Sequence, residues 1–163
     1  MQITIADFSD LPIIEAIYED ARGFMRESGN GSQWGTNYPS TELLVSDIKG
    51  GNLYTVREND EILGVFFFKV GIDPTYLKIS GGAWKNDLPY GVIHRIAVSK
   101  NAHGKGVSRF AFEFAFDKCH NVKIDTHRDN IPMQNALLKN GFEYCGVINI
   151  DSGEERIAFQ KCK

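Results

Sequence analysis

Cysteine is scarce in this sequence and shows no pairing pattern. The three cysteines, Cys119, Cys145 and Cys162, form no CxxC motif and are odd in number. A small secreted domain held by disulfides would carry more cysteines, in an even number. Residues after Met1 also lack the basic and apolar regions of a signal peptide. We therefore expect free thiols in a reducing compartment, the cytoplasm.

Long apolar runs and an excess of positive charge are missing as well. The longest apolar run, residues 62–68, is far too short to span a membrane and contains Gly64. Lys and Arg total 18 against 21 Asp and Glu, which gives a formal net charge of −3. A nucleic-acid-binding surface needs a basic face. These absences predict a protein whose partners are neither nucleic acids nor membranes.

The chain is long enough for one domain with a large core. No repeat, linker or low-complexity tract divides it, so we predict a single domain over residues 1–163. Early strands are joined by hairpins and later ones by helices, which predicts a mixed α/β sheet with helices on both faces. The apolar patterns predict strands at 2–6, 53–57, 62–72, 91–98, 122–126, 142–149 and 155–160, and helices at 11–25, 41–49, 108–119 and 132–140.

Residues 91–142 carry the strongest functional signal. A buried strand (91–98) is followed by the loop His103-Gly-Lys-Gly-Val-Ser108, a helix, a second strand and a second helix. A glycine loop between a strand and a helix directs several free backbone N–H groups to one point, at the positive end of the helix dipole. The pattern predicts an anion site, and phosphate is the usual anion.

Two familiar phosphate loops fit this segment poorly. A dinucleotide-binding fold would use Gly104, Gly106 and an acidic residue roughly 20 positions on, where Asp125 stands. Its third glycine is absent, because position 109 is arginine, and there is no second βαβ half. A P-loop needs a hydroxyl residue directly after Gly-Lys, where this chain has Gly106.

The whole segment resembles the GCN5-related N-acetyltransferases. Their coenzyme A pyrophosphate loop, Gln/Arg-x-x-Gly-x-Gly/Ala, falls on residues 103–108, with His103 and Ser108 as departures. Residues 125–130 and 139–144 resemble the family's second motif, which flanks the pantetheine arm. The resemblance is close over residues 91–148. It implies a mixed, mostly antiparallel sheet of about seven strands, and direct transfer of an acetyl group from acetyl-CoA to a primary amine of a small molecule or peptide.

The resemblance also implies roles for the residues around the loop. The loop would bind the pyrophosphate through backbone N–H groups, and a free N–H near Ala97 or Val98 would stabilise the oxyanion. Asn130 would bond the pantetheine amide. The implied acetyl-CoA-binding residues are Ile96, Ala97, Val98, His103, Gly104, Lys105, Gly106, Val107, Ser108, Asn130 and Met133. No metal ligand is implied.

A general base is needed because an amine with a pKa of about 10 is mostly protonated at neutral pH. His94, on the strand that leads to the oxyanion site, is the first candidate. Asp125 is the second. Each also has a purely structural interpretation, His94 as a bonded core residue and Asp125 as an organiser of its loop. Which of them acts as the base stays open.

The acceptor and the general acid are less constrained. The resemblance implies that Trp34, Tyr38 and Trp84 form walls of the acceptor site, with packing in the core as the alternative role of Trp34 and Tyr38. Leu137 stands where many members carry a tyrosine that protonates the departing thiolate. That substitution leaves a second hypothesis open, a non-catalytic coenzyme A-binding sensor or partner subunit. By analogy with such folds, a homodimer is also expected.

Overall fold

One seven-stranded sheet organises the chain. The computed structural model describes all 163 residues, Met1–Lys163. The strand order is β1-β2-β3-β4-β5-β7-β6, and only the β4–β5 pair is parallel. This arrangement confirms the mixed, mostly antiparallel sheet. The strands are β1 (Gln2–Ile5), β2 (Leu53–Glu58), β3 (Glu61–Val70), β4 (Gly91–Val98), β5 (Asn121–Thr126), β6 (Glu143–Asn149) and β7 (Glu155–Cys162).

Four helices cover the two faces of the sheet. They are α1 (Leu11–Glu27), α2 (Thr41–Lys49), α3 (Val107–Cys119) and α4 (Ile131–Lys139). Ser40 begins α2 by accepting the Leu43 N–H, as expected for a serine N-cap. None of these helices is long and apolar enough to cross a membrane.

Each face of the sheet has its own core. The α1–α2 face buries ten apolar residues around Tyr18 and Leu44. The α3–α4 face buries fifteen, centred on Phe66, Phe112 and Phe142. Burial of this apolar surface is the main force that holds the helices on the sheet. The two helix pairs therefore lie on opposite sides of the strands, which confirms the prediction of helices on both faces.

The β4–β5 pair separates soon after it begins. Only Gly91 and Val92 pair with β5. Farther along, β4 carries a bulge in which Arg95 and Ile96 lie opposite one residue of β3, and Arg95 has a φ of +51°. A bulge bends the strand that contains it. The two strands therefore diverge, and a gap opens between them in the middle of the sheet.

Residues 73–89 are more ordered than the sequence suggests. They contain a 3-10 turn at Pro74–Tyr76 and a bridge from Ser80 to Val147 of β6. Gly82 passes so close to β6 that an added Cβ would lie 2.0 Å from the Cys145 carbonyl oxygen. The segment is thus strapped to the sheet over a third, smaller core, made of Tyr76, Tyr90, Val92, Ile148 and Ala158. The preceding strand, β3, ends at Val70 and not at residue 72.

Candidate active site

Two cavities meet at the gap between β4 and β5. The first, of about 730 Å³, borders the glycine loop and is called here the loop cavity. The second, of about 570 Å³, borders His94 and is called the histidine cavity. Met25, Ile96, Asn130 and Met133 line both. A molecule in one cavity can therefore reach a molecule in the other.

The loop cavity has the features of an anion site. Gly104 and Gly106 adopt φ values of +80° and +79°, a left-handed conformation that glycine tolerates best. No side chain caps α3. The first N–H groups of that helix therefore remain free. Of the residues that the sequence assigns to acetyl-CoA, all line this cavity except Lys105, which is exposed on the loop.

Cationic side chains surround the same cavity. Arg109, Lys139 and Lys161 line it together with His103. Lys139 ends α4 and Lys161 lies near the end of β7, so neither is close to the loop in sequence. These two lysines were not among the residues predicted from the sequence, because only the fold brings them to the loop.

One backbone N–H of β4 points into the gap. The Ser99 N–H donates to the Leu63 carbonyl on β3, at 2.8 Å. Consecutive residues of a strand direct their N–H groups to opposite edges. The Val98 N–H therefore points away from β3, toward the side where β5 has separated. Of the two predicted positions, Val98 is the one with a suitable donor, since Ala97 pairs with Val65 of β3.

His94 and Asp125 face each other across the gap. His94 Nδ1 and Asp125 Oδ1 are 3.7 Å apart. The other ring nitrogen, Nε2, lies 2.7 Å from Asp73 Oδ2. The Tyr76 hydroxyl donates to Asp125 Oδ1 at 2.5 Å. The structure thus brings both predicted base candidates to one cavity and adds two partners that the sequence did not indicate.

Asp73 and Tyr76, which contact His94 and Asp125, differ in charge. Burial raises the pKa of Asp73, but hydrogen bonds from His94 and Thr75 outweigh it and lower the pKa to about 2. Burial and the neighbouring Asp125 raise the pKa of Tyr76 well above its ordinary value. At neutral pH, Asp73 is therefore an anion and Tyr76 a neutral hydrogen-bond donor.

The low pKa of Asp73 predicts a pH-dependent contribution to stability. The pKa of Asp73 is about 2 in the folded chain, against an ordinary value of 3.8. The ionised carboxylate therefore stabilises the fold above pH 4, and this stabilisation is lost as the pH falls toward 2. We expect Asp73→Asn to lower the free energy of unfolding at pH 7 by about 2 kcal/mol. Urea unfolding at pH 7 and pH 3 measures the difference, which should shrink to roughly half at pH 3. An equal loss at both pH values would show that the charge is not responsible.

Two of the three predicted acceptor residues line the histidine cavity. Trp34 and Tyr38 form an aromatic wall there, with ring centroids 6.2 Å apart. Arg95 holds the Tyr38 hydroxyl at 3.3 Å and is itself paired with Asp47 at 2.7 Å. The wall is thus anchored to β4 through a buried ion pair.

Trp84 does not reach either cavity. Its Nε1 donates to the Tyr76 carbonyl at 2.8 Å, and its ring lies 4.3 Å from the Lys123 Nζ. The prediction that Trp84 lines the acceptor site is therefore corrected. The segment that carries Trp84 packs on the third core, and the Trp84 ring contacts the Tyr76 ring, with centroids 5.3 Å apart.

A further part of the lining of the histidine cavity comes from the β6–β7 turn and the start of β7. Asp151, Ser152, Glu154 and Arg156 line it. These residues lie far from His94 in sequence, and no motif indicated them. Leu137, the residue at the position of the family's usual tyrosine, is fully buried in the α3–α4 core and lines neither cavity.

The fold and the site together define an acetyltransferase of the GNAT type. The sequence matches the Acetyltransferase (GNAT) family over residues 14–142. The chain therefore belongs to that family, as the glycine loop and the second motif indicate. Family membership supports an acyltransferase that uses acetyl-CoA.

Solved structures with the same fold include two bacterial acetyltransferases. A GNAT acetyltransferase from Streptococcus agalactiae shares 29% identity and a TM-score of 0.91, over 99% of this chain and 95% of its own. A putative acetyltransferase from Staphylococcus aureus shares 26% identity and a TM-score of 0.71, over 99% of each chain.

A third structure carries a bound ligand. A putative acetyltransferase from Salmonella typhimurium, solved with acetyl-CoA, has a TM-score of 0.64 at 16% identity, over 98% of this chain and 91% of its own. At that identity the likeness concerns the fold alone. A comparison with curated proteins finds no match.

Proposed function

We propose that this protein transfers an acetyl group from acetyl-CoA directly to a primary amine of a small molecule or peptide. The observation that carries the proposal is the meeting of the two cavities at the β4–β5 gap. One cavity is suited to a phosphorylated donor and the other holds a histidine and a carboxylate. Donor and acceptor can therefore bind at the same time, as direct transfer requires.

The loop cavity fits the anionic part of coenzyme A. Free N–H groups at the start of α3 can donate hydrogen bonds to a pyrophosphate, and Lys139 and Lys161 can neutralise its charge, whereas Arg109 is paired with Glu113 at 2.7 Å. Asn130 already bonds the Met133 N–H and the Gln33 side chain, so its amide is fixed where the two cavities join. Acetyl-CoA supplies the acetyl group as a thioester, and the Val98 N–H is the donor available to its carbonyl oxygen.

His94 is the proposed base and Asp125 the proposed anchor of the amine. Nδ1 of His94 has no hydrogen-bond partner and is not shut off from solvent. A primary ammonium can bond the Asp125 carboxylate and give a proton to His94 Nδ1, because these groups are 3.7 Å apart. The neutral amine then attacks the thioester carbonyl, whose developing charge the Val98 N–H stabilises.

No protein acid is needed at position 137 for the leaving group. A simple thiol has a pKa of about 8.5, so a thiolate is a tolerable leaving group at neutral pH. Leu137 therefore does not exclude catalysis.

The histidine cavity favours a positively charged acceptor. Arg95 is neutralised by Asp47 and Arg156 by Glu154, whereas Asp125 and Asp151 have no cationic partner. Trp34 and Tyr38 add aromatic faces, which attract cations. A primary ammonium matches this lining better than an anionic molecule does.

The first test is a thermal-shift titration with acetyl-CoA, coenzyme A, NAD and ATP. A ligand that binds only the native state raises the melting temperature once its concentration exceeds its dissociation constant. We expect stabilisation by the two coenzyme A species alone, and then thiol release with a panel of primary amines. Stabilisation by NAD alone would overturn the proposal. Binding of acetyl-CoA with no turnover across the panel would favour the non-catalytic sensor.

A further inference from the structure

One short turn contacts both members of the His94–Asp125 pair. The turn Pro74–Tyr76 and its N-cap, Asp73, belong to the segment strapped across the sheet. Asp73 binds His94 at one end of the turn, and Tyr76 binds Asp125 at the other. Both contacts come from a span of four residues, so the turn can set the positions of the two groups relative to each other.

The contact with Asp73 determines where the proton of neutral His94 lies. Asp73 is ionised at neutral pH, and a carboxylate can only accept hydrogen bonds. The 2.7 Å contact between Asp73 Oδ2 and His94 Nε2 therefore requires a proton on Nε2. Nδ1, which faces Asp125 and the cavity, is then left with its lone pair free.

The turn itself is held firmly. Asp73 Oδ1 accepts the Thr75 N–H and hydroxyl, at 2.9 and 2.7 Å, while its other oxygen faces His94. The Asp73 N–H donates to the Tyr90 hydroxyl at 3.0 Å, and the Tyr76 carbonyl accepts Trp84 Nε1. Asp73 and Tyr76 are therefore each held by hydrogen bonds that involve neither His94 nor Asp125.

We propose that Asp73 and Tyr76 are positioning residues for acetyl transfer. Asp73 keeps the proton of neutral His94 on Nε2, so that Nδ1 is the atom that takes the proton of the amine. Tyr76 holds the Asp125 carboxylate beside Nδ1. The inference rests on the proposed function, and it adds two residues and a defined tautomer to it.

The resulting step balances in atoms and charge. The ammonium, held by Asp125, gives one proton to His94 Nδ1, and the imidazolium keeps its Nε2 proton against Asp73. The amine nitrogen forms a bond to the acetyl carbon, and the carbon–sulfur bond breaks to release the coenzyme A thiolate. The second proton of the attacking nitrogen passes to solvent. His94 then releases its Nδ1 proton to solvent and becomes neutral again.

The tautomer can be measured directly by nitrogen-15 NMR of histidine-labelled protein at pH 9. The chain has four histidines, and the His94 signals are those that disappear in His94→Gln. We expect Nε2 to carry the proton in the unchanged protein. In Asp73→Asn the amide can donate to Nε2, so we expect the proton to move to Nδ1. A proton on Nδ1 in the unchanged protein, or no change in Asp73→Asn, would overturn the inference.

Kinetics give the second arm of the experiment. We expect Asp73→Asn to lower kcat/KM for the amine by about a hundredfold, with the Kd for acetyl-CoA changed less than twofold. Asp87→Asn is the matched control, because Asp87 is exposed on the same segment and bonds neither His94 nor Asp125. Loss of activity in both variants, or in neither, would contradict a positioning role.

Tyr76→Phe provides an independent variant that keeps the buried ring. It removes only the hydroxyl that bonds Asp125, and we expect a drop in kcat/KM of about tenfold with the His94 tautomer unchanged. Unchanged kinetics would remove Tyr76 from the inference. If the unchanged protein acetylates no amine, the proposed function fails, whereas the tautomer measurement still decides the effect of Asp73 on His94.

Discussion

Replacing His94 by glutamine is expected to lower kcat for acetyl transfer by about two to four orders of magnitude. A positioned general base contributes a factor of this size to proton transfer. Glutamine can still bond Asp73, but it cannot take a proton from an ammonium at neutral pH. Thiol release at saturating acetyl-CoA and amine measures the effect. The loss should become smaller at high pH, where the amine is already deprotonated in solution.

His127→Gln is the matched control for this substitution. His127 lies in the loop after β5, where its Nδ1 accepts the Asp129 N–H, and it lines neither cavity. We expect its kcat to stay within about twofold of the unchanged protein. A His94→Gln enzyme with full activity would remove His94 as the base and leave Asp125 as the remaining candidate.

Gly106→Val is expected to raise the Kd for acetyl-CoA by about a hundredfold. Gly106 has a φ of +79° and directly precedes α3, where the free N–H groups lie. A β-branched residue in this conformation strains the loop by roughly 1–3 kcal/mol, which displaces the donors. Loss of even one charge-assisted hydrogen bond adds a similar cost, and 2.7 kcal/mol corresponds to a hundredfold change in Kd. Isothermal titration calorimetry gives the Kd directly.

The control for Gly106→Val is Gly51→Val. Gly51 also has a positive φ, of +67°, and an added Cβ there meets nothing within 4 Å. It lies between α2 and β2, away from both cavities. We expect a similar fall in melting temperature in both variants but a changed Kd only in Gly106→Val. An unchanged Kd in Gly106→Val would show that the loop is not the phosphate site.

The secondary-structure elements and the type of fold could be predicted from local sequence patterns. Apolar periodicity located all seven strands and four helices, because burial on one face imposes the same spacing wherever an element packs. The glycine loop at residues 103–108 could be recognised because its role depends on glycines at fixed positions between a strand and a helix, which are neighbours in the sequence. His94 was identifiable because it lies on the strand that leads to the predicted oxyanion site, and Asp125 because it begins the segment that resembles the family's second motif.

The side chains that complete the site depend on contacts between distant segments of the folded chain. Asp73 and Tyr76 lie in a segment without periodicity, and they reach His94 and Asp125 because that segment is strapped to β6. Because the segment pairs with β6, the Trp84 ring packs against Lys123 and lies outside the cavity. The bulge at Arg95, which opens the gap, likewise has no sequence motif. Contacts between segments distant in sequence depend on the summed packing of many elements, and no local pattern encodes that sum.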